Sequence, residues 1–131
     1  MPHEQQQNAG RIGRVSEHLA AAWILMHGDV YVATMPDPSN CDLIVMWPDG
    51  SSRSVQVKTA YMSSRGMQMA NCASSRGDQY DGIDYLLIVD QQVFMFWLVP
   101  VGAIHERSHM RMGRYGTYAH AITDEPRWLA V

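Results

Sequence analysis

Three polar side chains interrupt two neighbouring apolar stretches of the chain. Asp42 begins a stretch that ends at Trp47, and Gln56 and Lys58 alternate with valines in the next one. Hard cations such as Mg²⁺ prefer oxygen ligands, which a carboxylate, an amide and a backbone carbonyl such as that of Val57 supply. An ammonium group beside such a cation orients water and offsets negative charge in a transition state. A carboxylate, an amide and an amine in this order therefore suit hydrolysis of a phosphodiester bond.

The two stretches are predicted to pair as an antiparallel hairpin. The Pro-Asp-Gly sequence of residues 48–50 is typical of a tight turn. With Gly50 in the left-handed conformation of a three-residue loop, Asp42 lies opposite Gln56. Successive side chains of a strand point to opposite faces, so Gln56 and Lys58 share one face. The hairpin therefore predicts one patch that holds all three polar side chains.

An amphipathic helix is predicted before this hairpin, with one face turned toward a core. Apolar residues recur at intervals of three and four, and Gly28 ends the pattern. The residues of this face are Ile12, Val15, Leu19, Ala22, Trp23 and Met26. Glu17 projects from another side, where the small Ala20 and Ala21 allow a second element to approach. Glu17 is therefore a candidate fourth oxygen ligand.

Beyond the first hairpin, the chain predicts a second one. Residues 62–81 are expected to form a long surface excursion with a short strand at Met67–Ala70. The apolar stretches Ile83–Val89 and Val93–Val99 are expected to pair and to close the sheet. The predicted fold class is therefore α+β, with a mixed sheet and the order αβββ followed by a hairpin.

One domain is predicted from residue 11 to residue 131, after a flexible polar tail at residues 1–10. The 131 residues and the 47% hydrophobic content suit a single core. Towards the C-terminus, a short helix near Val101–His109 is expected to precede an irregular end packed by Trp128 and Leu129.

Composition restricts the classes of protein that fit. Cys41 and Cys72 are too few for the disulfide framework of a small secreted domain and are expected to be reduced. The polar N-terminus lacks the apolar core of a signal peptide, and no apolar run is long enough to span a bilayer, so a cytoplasmic location is expected. With 10 basic and 13 acidic residues, a nucleic-acid function must rest on local charge. Lys58 is the only lysine.

Four motifs, spread over roughly residues 11 to 100, resemble the PD-(D/E)XK endonucleases found among group I intron homing enzymes. They are GRVSE at residues 13–17, Pro36 followed by Asp42-Leu-Ile, VQVKT at residues 55–59 and YDGIDY at residues 80–85. The resemblance implies a restriction-endonuclease-like α/β core, DNA as the substrate and Mg²⁺ as the cofactor, with Mn²⁺ able to substitute. It is compatible with a bacterial or phage origin.

The resemblance also implies residue roles. In that family a helix glutamate, an aspartate on the second strand and a Gln/Glu-x-Lys pair on the third form the active site. The matching catalytic residues here are Glu17, Asp42, Gln56 and Lys58. The matching metal ligands are Asp42, Gln56 and Glu17, with the Val57 carbonyl. A glutamine at the middle position departs from the commoner Asp or Glu and removes one negative charge from the metal site.

DNA contacts are expected from arginines around this site. The candidates are Arg11 and Arg14 at the start of the helix and Arg65 and Arg76 in the 62–81 excursion. Several arginine–phosphate contacts would make binding depend steeply on salt. Because one domain carries one active site, cleavage of both strands is expected to need a homodimer or a higher homo-oligomer.

Other interpretations of these residues stay open on sequence grounds. Gln56 and Lys58 also fit the solvent face of an edge strand. Glu17 also fits a solvated position on the helix. Each single arginine also fits a role in solubility alone. The His-Glu-x-x-His sequence from His105 to His109 is a zinc-peptidase motif when it lies on a helix, with His120 or Glu125 as the possible third ligand. A Holliday-junction resolvase and a non-catalytic DNA-binding module on the same fold are further alternatives.

Overall fold

The computed structural model describes residues 2–36, 41–73 and 80–129, which form one helix followed by eight strands. The elements are α1 (Pro2–Met26), β1 (Tyr31–Thr34), β2 (Leu43–Met46), β3 (Ser52–Met62), β4 (Gln68–Asn71), β5 (Tyr85–Asp90), β6 (Met95–Pro100), β7 (His109–Arg111) and β8 (Ala119–Ala121). Two 3₁₀ segments, Val101–Ala103 and Met112–Tyr118, lie on either side of β7. The predicted order of a helix, three strands and a second hairpin is confirmed.

The strands form a main sheet and a smaller side sheet that share β3. The main sheet has the order β1-β2-β3-β5-β6-β8, and all its pairs are antiparallel except β3 with β5. In the side sheet, Ala60–Met62 of β3 pairs with β4, and β4 pairs with β7. The strand predicted near Met67–Ala70 is thus confirmed, but as the return strand of a hairpin and not as part of a long excursion. Residues 74–79 of that excursion lie outside the described residues.

Hydrophobic cores cover both faces of the main sheet. The helix-side core joins α1 to one face, and its buried residues are Ala20, Trp23, Ile24, Leu43, Val45, Val55, Val57, Tyr85, Leu87, Val89, Phe96 and Leu98. The side-sheet core joins the other face to the side sheet, and its buried residues are Ala70, Cys72, Leu86, Ile88, Trp97, Val99, Met110, Met112 and Tyr115. Because β5 is covered on both faces, alternate residues of its apolar run enter different cores.

The helix differs from its prediction in its start and in its buried face. It begins at Pro2 and not near Ile12, so the tail predicted for residues 1–10 lies within α1 from residue 2 onward. Ile12 and Val15 are 45% and 40% exposed, whereas Ser16 and Ala20 are fully buried. Small side chains at these two positions let the helix approach the sheet closely, which rotates the larger apolar residues toward the flank. Trp23 is buried as predicted.

The C-terminal part of the chain forms short strands where a helix was predicted. The helix expected near Val101–His109 is replaced by the 3₁₀ turn at Val101–Ala103 and by β7. Trp128 packs edge-on against Trp47 and Tyr85, as expected for an irregular end that covers the core. Of the described residues, no helix is long and apolar enough to cross a membrane. Both cysteines are unbridged, as predicted.

Candidate active site

The β2–β3 hairpin has the register that the turn sequence predicts. Gly50 has a φ of +90°, and the Trp47 amide donates to the Ser51 carbonyl at 2.9 Å. Leu43 pairs with Val55, which continues to Asp42 opposite Gln56. A glycine in the left-handed region closes the three-residue loop without steric cost, so the turn fixes which residues meet at the far end of the hairpin.

Asp42 immediately precedes β2, and it makes hydrogen bonds to the residues on either side of Gln56. Its amide donates to the Val55 carbonyl at 3.0 Å, and its Oδ2 accepts from the Val57 amide at 2.7 Å. Two bonds to residues on either side of Gln56 depart from a regular ladder and resemble a β-bulge, which re-aims a side chain. The carboxylate of Asp42 is therefore held at the strand edge and not on a sheet face.

Residues 56–59 form an open stretch of β3. They pair with β5 on one side, whereas β2 ends before them and β4 begins after them. The amide and the carbonyl of one strand residue point to the same edge. Since the Val57 amide points to Asp42, the Val57 carbonyl also points to this edge. The open stretch therefore presents a carboxylate and a backbone carbonyl side by side.

Gln56 and Lys58 are half-buried on the face of β3 that turns away from α1. The valines that alternate with them lie in the helix-side core. Burial raises the pKa of the Cys72 thiol, and the positive charge of Lys58 is the smallest of the influences that act against that rise. The predicted face of the two polar residues is thus confirmed. The alternative of a fully solvent-exposed face does not fit, because both side chains are half-buried.

Ser16, which the sequence analysis did not single out, positions α1 against the open stretch. Its Oγ lies 2.5 Å from Oγ1 of Thr59 and accepts from Nε2 of Gln91 at 2.9 Å. A fully buried hydroxyl needs such partners, and these two fix the height and the rotation of the helix. Ser16 precedes Glu17, and Thr59 follows Lys58. The contact of Ser16 with Thr59 therefore joins the two chain segments that carry these predicted catalytic residues. A polar residue within an apolar face was the signal that could have revealed this contact.

Glu17 is half-buried and lies on the β2 side of α1. It is seven residues from Ile24 and therefore on the same line of the helix. Ile24 lines a cavity with Val30 and Trp47, on the side of β1 and β2, whereas Trp23 stacks on Phe96 of β6 at 4.6 Å. Glu17 thus lies on the side of α1 that faces β1 and β2.

The donors at this place are all oxygen atoms. Asp42 and the Val57 carbonyl lie at this edge. The other two predicted ligands are also oxygen donors, with Gln56 on the face turned away from α1 and Glu17 on α1 itself. Such a set fits a hard cation like Mg²⁺ better than a thiolate- or imidazole-binding metal. Within residues 2–36, 41–73 and 80–129, no group of three or more His, Cys, Asp or Glu side chains is arranged to hold a metal ion. A metal here would therefore need the amide and the carbonyl as well as the carboxylates.

The predicted DNA-binding arginines are only partly near this place. Arg14 and Arg11 lie on the exposed surface of α1, about one turn and about two turns before Glu17, respectively. Arg65 is exposed in the turn between β3 and β4, seven residues beyond Lys58. Arg76 lies outside the described residues. Three of the four predicted arginines are thus exposed on the surface of the described residues.

The zinc-peptidase motif does not have the geometry that zinc requires. Residues 104–108 are not helical, and His109 belongs to β7, so His105 and His109 do not lie one helical turn apart. Glu106 accepts from the Tyr115 hydroxyl. The third-ligand candidate His120 is buried, with one ring nitrogen near the Phe96 carbonyl at 3.3 Å and the other accepting from the Arg127 amide at 3.1 Å. The motif is a coincidence of sequence.

Comparison with known proteins identifies the fold. No family model matches the chain, and no curated protein matches it. Among solved structures, the bacterial homing endonuclease I-Ssp6803I superposes with a TM-score of 0.61 at 22% sequence identity, over 75% of this chain and 70% of that chain. The predicted fold class is therefore confirmed: this chain has a mixed α+β fold like that of a homing endonuclease.

Proposed function

We propose that the chain is a Mg²⁺-dependent DNA endonuclease of the PD-(D/E)XK kind, similar to homing endonucleases. The observation that carries this proposal is the contact of the Asp42 carboxylate with the Val57 amide, between Gln56 and Lys58, at the open stretch of β3. The fold shared with a homing endonuclease supports it. The net charge of −3 is no obstacle, since the contacts needed are local.

The residues at the open stretch divide the work of phosphodiester hydrolysis. Asp42, Glu17, the Gln56 amide oxygen and the Val57 carbonyl would hold the cation. When bound, Mg²⁺ would neutralise charge on the phosphate and make the attacking water more acidic. Lys58 orients that water and offsets the negative charge that grows on the phosphate oxygens. The half-buried position of Lys58 strengthens this interaction, because fewer water molecules screen its charge.

The test is nicking of supercoiled plasmid DNA in Mg²⁺ by the native chain and by Asp42→Asn and Lys58→Ala. We expect both variants to lose at least about 100-fold in rate, as when a preorganised electrostatic contact is removed. Asp49→Asn is the matched control, because Asp49 lies on the same hairpin at its exposed end and accepts from Ser51. It should cut like the native chain, and circular dichroism should show the same fold for all four proteins.

Two results would contradict the proposal. In the first, the native chain binds DNA but never nicks it with Mg²⁺ or Mn²⁺, which would favour a non-catalytic DNA-binding module. In the second, Asp42→Asn and Lys58→Ala cut at the native rate. Running linear duplex and a four-way junction in parallel separates a homing-type nuclease from a junction resolvase, since only a resolvase prefers the branched substrate.

The glutamine at position 56 sets the metal requirement. An amide contributes one oxygen ligand without charge, so the site should bind Mg²⁺ more weakly than one with a third carboxylate. Gln56→Glu should therefore lower the Mg²⁺ concentration for half-maximal nicking. An unchanged or higher Mg²⁺ requirement in this variant would remove Gln56 from the proposed ligand set.

Cleavage of both strands should need at least a homodimer. One copy presents one open stretch of β3, and two-fold symmetry between copies would match that of the duplex. A monomer by light scattering that still converts plasmid directly to linear DNA would contradict this part of the proposal. A monomer that accumulates only nicked circles would limit the function to single-strand cleavage.

A further inference from the structure

Positive charge is segregated along the chain although the net charge is negative. Residues 50–73 and 107–123 contain six of the ten basic residues and none of the thirteen acidic ones. The first of these segments holds β3 and β4, and the second holds β7. Pairing of β4 with β7 brings the two acid-free segments together in the side sheet.

The side sheet has one buried face and one exposed face. Ala60, Ala70 and Met110 lie opposite one another and form a row in or against the side-sheet core. The adjacent row is Tyr61, Met69 and Arg111, which must point the other way because side chains alternate. Tyr61 is 42% exposed and Arg111 is exposed. The exposed row therefore carries an aromatic ring at one end and a guanidinium group at the other.

Acidic groups at the border of the side sheet are occupied by other partners. Glu106 accepts from Tyr115 and lies 3.7 Å from the guanidinium of Arg114. Asp90 accepts from Nε2 of Gln68 at 2.6 Å and from the Gln92 amide at 2.9 Å. The charges of Arg65 and Arg111 are therefore not opposed by a carboxylate of β3, β4 or β7, since these strands contain none.

We propose that the exposed face of the side sheet, with Tyr61, Arg65 and Arg111, is a surface that binds the phosphate backbone of duplex DNA. The inference rests on the proposed function and adds to it a binding surface separate from the catalytic residues. Arg65 in the β3–β4 turn and Arg111 on β7 each contact a phosphate, and Tyr61 packs between them against the sugar backbone. The partner follows from charge complementarity: two exposed cations and an exposed ring, on or beside strands that contain no carboxylate, suit a polyanion.

The dimensions of this face agree with a duplex. Neighbouring strands lie about 4.8 Å apart, so the three strands of the side sheet span about 10 Å. A span of about 10 Å covers about three nucleotides of one strand, at about 3.4 Å each along the helix axis. The turn that carries Arg65 follows Met62, which lies four residues beyond Lys58, or about 13 Å along the strand. A duplex that crosses both the open stretch and the side sheet would therefore meet this turn about four base pairs from the cut, at about 3.4 Å per pair.

The test is the salt dependence of duplex binding, measured by fluorescence anisotropy in EDTA so that cleavage plays no part. The slope of log K against log salt is negative, and each lost phosphate contact makes it less steep by about 0.9. Between about 50 and about 200 mM salt, the loss of affinity should therefore be about 3.5-fold smaller in Arg65→Ala and in Arg111→Ala than in the native chain. The double variant should show about 12-fold less loss.

Arg114→Ala is the matched control, because it removes the same charge three residues away from a side chain already paired with Glu106. It should keep the native salt dependence. If Arg65→Ala and Arg111→Ala also keep it while the native chain nicks plasmid, the side-sheet surface is wrong and the proposed function stands. If they change it while the native chain never nicks, the surface stands and the proposed catalysis is wrong.

Discussion

The helix-side core and the side-sheet core meet along β3 but are assembled differently. The helix-side core is built from a 25-residue helix and the longer strands of the main sheet, with the stacked rings of Trp23 and Phe96 in its interior. The side-sheet core is closed by strands of three and four residues that are separated by more than 35 positions in sequence. The first core thus depends on one rigid element, whereas the second depends on distant pairings.

This difference separates two parts of the proposed function. The helix-side core fixes α1, and the contact of Ser16 with Thr59 ties the part of the helix next to Glu17 to the open stretch. The side-sheet core fixes the row that carries Arg111. We therefore expect damage to the first core to affect the metal site before it affects DNA binding. Damage to the second core should have the opposite effect.

The largest effect is expected from Trp23→Ala. Trp23 is fully buried, stacks on Phe96 and donates from Nε1 to the Asp124 carbonyl at 2.9 Å. Removing such a ring costs about 3–5 kcal/mol of the free energy of unfolding, a large part of the stability of a small domain. Urea denaturation of the native chain and of the variant measures this loss of stability. Leu25→Ala, on the exposed side of the same helix, should change stability by less than about 0.5 kcal/mol.

Met110→Ala should cost about 3 kcal/mol, because Met110 is fully buried in the side-sheet core. Its distinctive result is functional. Both quantities are measured at temperatures where the variant is still folded. The fold loss in affinity for duplex DNA should exceed the fold increase in the Mg²⁺ concentration that gives half-maximal nicking. Met62→Ala is the control, since Met62 belongs to the same side sheet but is 65% exposed. Equal changes in binding and in metal requirement would show that the two cores do not serve separate parts of the function.

The same contrast explains what the sequence could predict. The hairpin register followed from Gly50 and from alternation, both of which act between near neighbours, so the position of Asp42 against Gln56 could be predicted. The pairing of Met69 with Arg111 could not, because strands of three or four residues carry too little pattern and nothing local links them. The rotation of α1 was also missed, since helical spacing alone does not show that Ser16 would find Thr59.

The helix-side core should be the more sensitive to acid. Burial, together with the charge of Arg127, lowers the pKa of His120. Backbone hydrogen bonds to Phe96 and Tyr118 and the charge of Asp124 act in the other direction without cancelling this effect. The neutral ring accepts from the Arg127 amide and can donate to the Phe96 carbonyl. The folded state thus favours neutral His120, so stability is complete above about pH 6.5 and is lost as the pH falls toward the lower folded pKa.

The acid effect can be measured by the unfolding free energy between pH 8 and pH 5, in the native chain and in His120→Gln. The variant starts from a lower stability at pH 8 but should lose less of it on acidification, because position 120 no longer titrates. His18→Gln, on the exposed surface of α1, should keep the native slope. A native slope in His120→Gln would assign the acid sensitivity to other groups.

The side-sheet core should be sensitive to alkali, and the effect of removing its buried phenol is the smallest of this series. Burial, aided by the hydrogen bond to Glu106, raises the pKa of Tyr115 to about 12. The stability that the neutral phenol provides is present below about pH 10 and is lost as the pH rises toward 12. Tyr115→Phe keeps the packing but leaves the His105 amide without this acceptor, at a cost of about 1 kcal/mol at pH 7.

The variant should therefore be less stable than the native chain at pH 7 and should approach it in stability above pH 10, where only the native core holds an ionising phenol. Tyr31→Phe, at an exposed position of β1, should follow the native chain at every pH. Since Tyr115 packs beneath the side sheet while His120 packs against Trp23, opposite pH limits in the two variants would separate the two cores without any reference to DNA. A difference between Tyr115→Phe and the native chain that stays constant from pH 7 to pH 11 would contradict the raised pKa and remove alkali as a means of loosening one core alone.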